Sequence, residues 1–245
     1  MTRSRKGLPR VFCIGWHKTG TSTIGSALLK LGFSVVGCRL DMVHPLRKGN
    51  FDLPLRLAGQ FDAVQDVPWA CLYKQLDVRY PGSRFIMTVR DEDSWLKSAR
   101  RHFGSMHIPL HEWIYGKGRL TGNEQLYLER FRNHQIEAQA YFMNRPDDLL
   151  IMDFRSGDSW EKLCDFLEVE IPNGSFPHEN KAPKNRNLRE RIKAVAREYT
   201  PKPVRAAAFE TKLQIRSMVG LSDPRNRFNN FRENRSERRS WRGPK

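Results

Sequence analysis

Nowhere in the 245 residues does an apolar run approach the roughly 20 residues that span a bilayer, which excludes an ordinary helical membrane protein. The basic opening, Met1 to Arg10, is followed by only a short apolar stretch, Val11 to Ile14. A secretory leader needs about 7–15 apolar residues and a small-residue cleavage site. Neither is visible, so a cytoplasmic protein is expected. Cysteine is also scarce. Cys13, Cys38, Cys71 and Cys164 include no CxxC pair and mostly stand among apolar neighbours, which argues for buried free thiols over a disulfide framework or thiolate metal site. No internal repeat is present.

Positive charge is abundant, and it is unevenly placed. The formal net charge is +16, yet from Lys184 onward 18 Lys/Arg face 6 Asp/Glu, leaving the first 183 residues with 25 against 21. The body is therefore mildly basic and the C-terminal part carries the excess. Such a tail attracts polyanions, whether nucleic acid, an acidic membrane surface or an acidic glycan, unless it is simply a solvated, disordered segment.

The apolar 39% suffices for one core. Short apolar runs at Arg10–Gly15, Phe33–Val36, Phe61–Gln65, Arg84–Val89 and Asp148–Met152 read as strands. Between them, helical spacing predicts helices over Thr21–Leu31, Pro68–Tyr80, Asp91–Phe103, Asn123–Asn144 and Asp158–Val169. Leu40–Gln60 and Gly104–Gly122, interrupted by Pro and Gly, read as irregular. Alternating strands and helices imply an α/β fold with a parallel sheet flanked by helices, whose ligands bind beyond the carboxyl ends of the strands. Three regions are expected: a core over 1–187, a basic helical extension over 188–221 and a basic, disordered tail over 222–245.

The segment Gly15-Trp16-His17-Lys18-Thr19-Gly20-Thr21-Ser22-Thr23 follows a strand and opens a helix. Backbone N–H groups converge on an anion in such a place, and the two glycines allow a sharp turn. A triphosphate loop reads GxxxxGK[ST]. Here the glycine spacing is kept, but Thr21 stands where that lysine should be and the lysine lies inside the loop, at Lys18. There it would reach the bridging oxygen of a mixed anhydride and not a β/γ-phosphate pair.

This loop resembles that of the sulfotransferase family, whose form is K-[ST]-G-T-[ST]. The resemblance implies a 3'-phosphoadenylyl sulfate (PAPS) donor with its 5'-phosphate on Lys18, Thr19, Gly20, Thr21, Ser22 and Thr23. Where several cytosolic members place an adenine-contacting aromatic, this chain has Thr23, so the adenine pocket stays unassigned. The family also binds the donor's 3'-phosphate with an arginine ending a central strand and a serine eight residues on. Arg90 and Ser98 have that spacing, within a strand segment, Tyr80 to Asp91, that is similar to the family's. A third basic contact often comes from a late loop, for which Lys181, Lys184 and Arg186 are candidates; Phe176-Pro177-His178-Glu179-Asn180 before them looks like bacterial members. The resemblance covers about Arg10 to Asn187.

The reaction so implied is an in-line sulfuryl transfer to an acceptor hydroxyl or amine, with the acceptor a glycan, lipid or small metabolite. It needs no metal. Lys18 would stabilise charge on the leaving phosphate. A carboxylate or His must take the acceptor proton. Asp66, in Val64-Gln65-Asp66-Val67-Pro68, ends a strand at the right rim and is the leading base; its rival role is capping the helix at Pro68. His17, His44, His102, His107 and His111 are the other candidates. The spacing of His102, His107 and His111 is poor for zinc; these residues would line an acceptor lid with Trp113 and Tyr115, or lie exposed. Two rival readings remain. Asp148–Asp153 imitates a Walker B strand, pointing to a magnesium-dependent kinase, and the tail alone would suit a nucleic-acid binder.

Overall fold

A computed structural model describes residues 8–178. Five short parallel strands form the sheet: β1 (Val11–Cys13), β2 (Val35–Val36), β3 (Ala63–Gln65), β4 (Arg84–Thr88) and β5 (Leu149–Met152), in the order β2-β3-β1-β4-β5. Side chains alternate across a strand, so β1 divides its residues between two cores. Phe12 and Ile14 face a large aromatic core with Trp69, Trp95, Phe103, Phe131 and Phe142. Val11 and Cys13 face a smaller one with Ile24, Leu28, Leu163 and Leu167.

The helices covering these faces are α1 (Thr21–Lys30), α4 (Tyr73–Arg79), α5 (Glu92–Phe103), α7 (Glu124–Phe142) and α8 (Trp160–Leu167). Three shorter or outlying ones, α2 (Val43–Arg47), α3 (Asp52–Ala58) and α6 (Pro109–Tyr115), complete the set. Helix α5 has the polarity its sequence foretells. The Asp91 carboxylate caps Ser94 N at 2.8 Å, acids occupy the first turn, and Arg100, Arg101 and His102 the last. The helix expected from Pro68 opens instead as a tight 3-10 turn, Trp69–Leu72, before α4 begins.

Two segments expected to be irregular are helical. In α3, Pro54 stands in the first turn, where its missing N–H lacks an intrahelical acceptor in any case. In α6, Pro109 is the first helical residue and Gly116, at φ 72°, ends the helix in the left-handed region. The Pro and Gly that read as loop signals are the start and stop of a short helix. Arg47 of α2 bridges these segments, pairing with Glu112 and donating to Pro109 O at 3.3 Å.

Among the described residues no helix is long and apolar enough to cross a membrane. The basic extension, the tail and Lys181, Lys184 and Arg186 lie outside the described residues.

Candidate active site

The loop between β1 and α1 rises at the carboxyl end of the central strand, and its backbone is held from three sides. A Cβ on Gly15 would lie 2.0 Å from Thr88 Oγ1 and 2.7 Å from Thr88 N, so only glycine lets the loop leave β1 against β4. Gly20, at φ 117°, faces the Phe154 ring, which a Cβ there would meet at 2.6 Å. Lys18 itself takes a left-handed conformation, φ 66°.

Three successive carbonyls of the loop are tied. Trp16 O accepts from Thr19 Oγ1 at 2.6 Å, His17 O from Trp95 Nε1 at 2.8 Å and Lys18 O from Arg90 Nη1 at 3.1 Å. With these acceptors committed to the protein, and Thr19 N bonded to Trp16 O at 3.2 Å, the start of α1, which has no side-chain cap at Gly20, keeps N–H groups that the helix itself does not bond. Such a loop has the form of an anion cradle.

The sequence-derived loop residues divide by exposure. Lys18, Gly20 and Ser22 are partly exposed, whereas Thr19, Thr21 and Thr23 are buried. The single hydroxyl hydrogen of Thr19 goes to Trp16 O, so at 2.6 Å it accepts from Thr88 Oγ1, a partner the sequence did not advertise. Thr21 Oγ1 donates to Asp66 Oδ2 at 2.7 Å.

That last bond places Asp66. It sits at the tip of β3, directly beside β1, in a left-handed conformation, φ 74°. Oδ1 accepts Val67 N at 2.7 Å, and the carbonyl, not the carboxylate, takes Ala70 N at 3.1 Å. The side chain thus reaches across to the loop instead of capping the following helical turn. Asp153, the sequence's Walker B imitation, stands elsewhere. It follows the edge strand β5, which β4 separates from β1, and its carboxylate accepts Arg155 N at 2.9 Å and Ser156 Oγ at 2.8 Å. A carboxylate there shapes a turn.

Arg90 emerges just past β4, half-buried, with Nε shielded and unpartnered among the described residues. Burial lowers its pKa, and the nearby guanidiniums of Arg155 and Arg101 add to that against the opposing pull of Asp91. Ser98 lies buried on α5.

The histidines separate sharply. Tyr115 OH accepts Trp16 Nε1 at 2.7 Å and lies 2.5 Å from His17 Nε2, so its one hydrogen points to His17. His111 packs against His17 with the rings tilted, centroids 5.0 Å apart, and His134 Nε2 bonds Ile14 O at 2.7 Å. All three are buried and pushed toward the neutral form by desolvation. His111 and Tyr115 are therefore core residues and do not line a lid; their polar letters hid a place inside an aromatic cluster. His44 and His107 are exposed and His102 is half-buried. Among the described residues no group of three or more His, Cys, Asp or Glu is placed to hold a metal ion.

Comparison with known proteins identifies the family. A family model described as "Sulfotransferase domain" matches residues 10–121 and, in an overlapping piece, 101–185. The chain belongs to the sulfotransferase family. A curated relative of this sulfotransferase, "Ava biosynthesis cluster protein M" of Aspergillus versicolor, is 24% identical over 215 residues, covering 69% of this chain and 80% of the relative. The span that the family model matches includes the loop, Asp66, Arg90 and Ser98.

Proposed function

We propose that this sulfotransferase uses 3'-phosphoadenylyl sulfate as its donor and transfers the sulfuryl group to an acceptor hydroxyl or amine. The observation that carries the reading is the bond from Arg90 Nη1 to Lys18 O at 3.1 Å. It joins the loop cradle to the Arg90/Ser98 corner, so two anion sites share one rigid rim. A donor with a phosphate at each end of its ribose matches that pair. The unpartnered Arg90 Nε and the fork of guanidinium donors fit a phosphate in the second site.

When bound, the donor supplies a sulfuryl group on a phosphate leaving group. The chain's residues supply the rest. The loop N–H groups and Lys18 hold the phosphate at which negative charge develops, and Ser22 adds a hydroxyl at the accessible rim. Asp66 is the proposed acceptor of the proton released by the attacking hydroxyl or amine. Its carboxylate lies at the loop, held by Val67 N and Thr21 Oγ1. Arg90 and Ser98 hold the phosphate that does not react.

The Asp66–Thr21 bond favours one other reading. P-loop enzymes that use magnesium nucleotides also set an aspartate beside a loop hydroxyl. The loop lysine decides against it, since Thr21 occupies the position from which a lysine serves triphosphates. Incubation with radiolabelled donor and a panel of glycan, lipid and small-molecule acceptors tests the proposal. Label transfer to an acceptor supports it; phosphoryl transfer from ATP with no sulfuryl transfer overturns it.

A further inference from the structure

We propose that Arg155, at the turn after β5, is a further cationic contact for the donor's 3'-phosphate and gives the site its preference for nucleotides carrying that group. The inference rests on the donor reading above. It concerns a residue that belongs to no motif of the sequence.

The turn holding Arg155 is firmly built. Asp153 N donates to Asp158 Oδ2 at 2.8 Å, and the Asp153 carboxylate accepts Arg155 N at 2.9 Å and Ser156 Oγ at 2.8 Å. Its neighbour Phe154 is pressed on Gly20 of the cradle. From this anchored position Arg155 Nη1 reaches Asp91 Oδ2 and Ser94 Oγ at the start of α5.

That landing point is informative. Residues three and four apart share a helix face. Ser94, Ser98 and Arg101 therefore form one stripe along α5, with Ser98 already assigned to the phosphate. Arg155 meets the stripe at its first member, while Arg90 approaches from the end of β4. Burial is the main cause of the lowered Arg90 pKa, and the repulsion of the Arg155 guanidinium adds to it, in keeping with the approach of both side chains to this corner. Arg155 and Arg90 both lie near one carboxylate, Asp91, so this pair of guanidiniums keeps an excess of positive charge, the complement of a phosphate monoester at about −1.5 to −2. Two guanidiniums that share one carboxylate repel each other, and a phosphate dianion entering between them relieves that repulsion. The Arg155 side chain is 58% exposed, so exchanging Asp91 and Ser94 for phosphate oxygens requires no opening of the core.

The test is calorimetric titration of wild type, Arg155→Gln and Arg155→Lys with two probes, adenosine 3',5'-bisphosphate and adenosine 5'-monophosphate. Arg155→Gln should weaken the bisphosphate by about tenfold or more, as loss of a charge-assisted bond does, and leave the monophosphate nearly unchanged. Arg155→Lys should fall between, keeping charge but losing the fork. Equal weakening of both probes, or of neither, overturns the assignment; the former would make Arg155 a prop for the loop through Phe154. A wild-type protein that does not prefer the bisphosphate defeats the donor reading itself, an outcome distinct from both. Melting of the unliganded variants confirms that they are folded.

Discussion

Lowering the pH from 7.5 to 5.5 should destabilise the fold by about 4 kcal/mol through three buried imidazoles. His17 is about 1% exposed, and His111 and His134 are fully buried. Desolvation dominates each shift, holding His111 at about 3, His134 at about 4 and His17 well below 6.5. All three folded values are depressed, so below pH 6.5 the unfolded chain binds more protons than the native one. Stability is therefore full above about 6.5 and is lost as pH falls from there toward 4 and 3. Between 7.5 and 5.5, each group changes the unfolding free energy by about 1.4 kcal/mol, because the upper unit of that range lies above the unfolded pKa. The total of about 4 kcal/mol is large against a typical stability of about 5–15 kcal/mol. Carboxylates with lowered values, such as Asp77 and Glu92, stay ionised in both states at pH 5.5 and add little. At roughly 2–4 °C per kcal/mol for a chain this long, the melting temperature should drop by roughly 8–16 °C.

Circular-dichroism melts at fixed ionic strength measure this drop, and His111→Phe apportions it. His111 Nε2 has no partner among the described residues, and Tyr127 OH, 3.5 Å from Nδ1, already donates to Lys117 O at 2.8 Å. A phenyl ring thus replaces the imidazole without stranding a strong bond. The variant should lose about one third of the pH effect, near 1.4 kcal/mol. A flat melting temperature between the two pH values, or an undiminished drop in His111→Phe, would refute the reasoning.

Adenosine 3',5'-bisphosphate should raise the stability by about 2.7 kcal/mol at 100 times its dissociation constant with no magnesium added, and ATP with magnesium should do far less; the reverse ranking in a thermal-shift assay would favour the kinase. Lys18→Ala should cut turnover at saturating donor by an amount on the order of 2.7–4 kcal/mol of barrier, whereas Ser98→Ala should chiefly weaken donor binding. Steady-state kinetics with both substrates varied separates the two, and an unchanged turnover in Lys18→Ala would remove it from the chemical step. Asp66→Asn should lower turnover about 10²–10⁴-fold and abolish the acidic limb of the pH–rate profile, with bisphosphate binding little changed. A variant that keeps both rate and profile would leave Asp66 as a strut for Thr21.

Much of the architecture was legible because it rests on local signals. The strand-to-helix passage at Gly15–Thr23, the Arg84–Thr88 strand behind its Pro-Gly turn and the acid-to-base polarity of α5 each depend on neighbours in sequence. What was not legible depends on contacts between distant elements. Thr88 fills the space against Gly15, Phe154 covers Gly20 and Trp95 Nε1 holds His17 O, yet no spacing links these residues to the loop. The histidines misled for the same reason. His111 lies in a segment rich in Gly and polar residues, but α6 turns it inward among Phe103, Tyr115 and Tyr127. Asp153 ends a strand as a Walker B aspartate does, and only the strand order shows that β4 stands between it and the loop. A motif names the residue types of a site; the sheet decides which copy of a motif is used.

The sharing of Arg90 bears on how the site divides its work. The sequence resemblance assigns Arg90 to a phosphate that does not react, so that its removal should mainly weaken donor binding. In the structure its guanidinium also holds Lys18 O, in a residue whose left-handed backbone carries strain of order 1–3 kcal/mol and persists only where its surroundings enforce it. Truncating Arg90 would therefore disturb the position of Lys18 as well, and a loss of turnover in such a variant could not be read as evidence that Arg90 touches the reacting group. Ser98 has no such link to the loop, which is why it gives the cleaner cut. The same bond runs in the other direction: a phosphate that draws Arg90 into place also fixes the carbonyl beside Lys18. On the proposed donor reading, recognition of the unreactive end would help to hold the lysine at the reactive one, so that binding energy far from the transferred group would position the charge that assists its transfer.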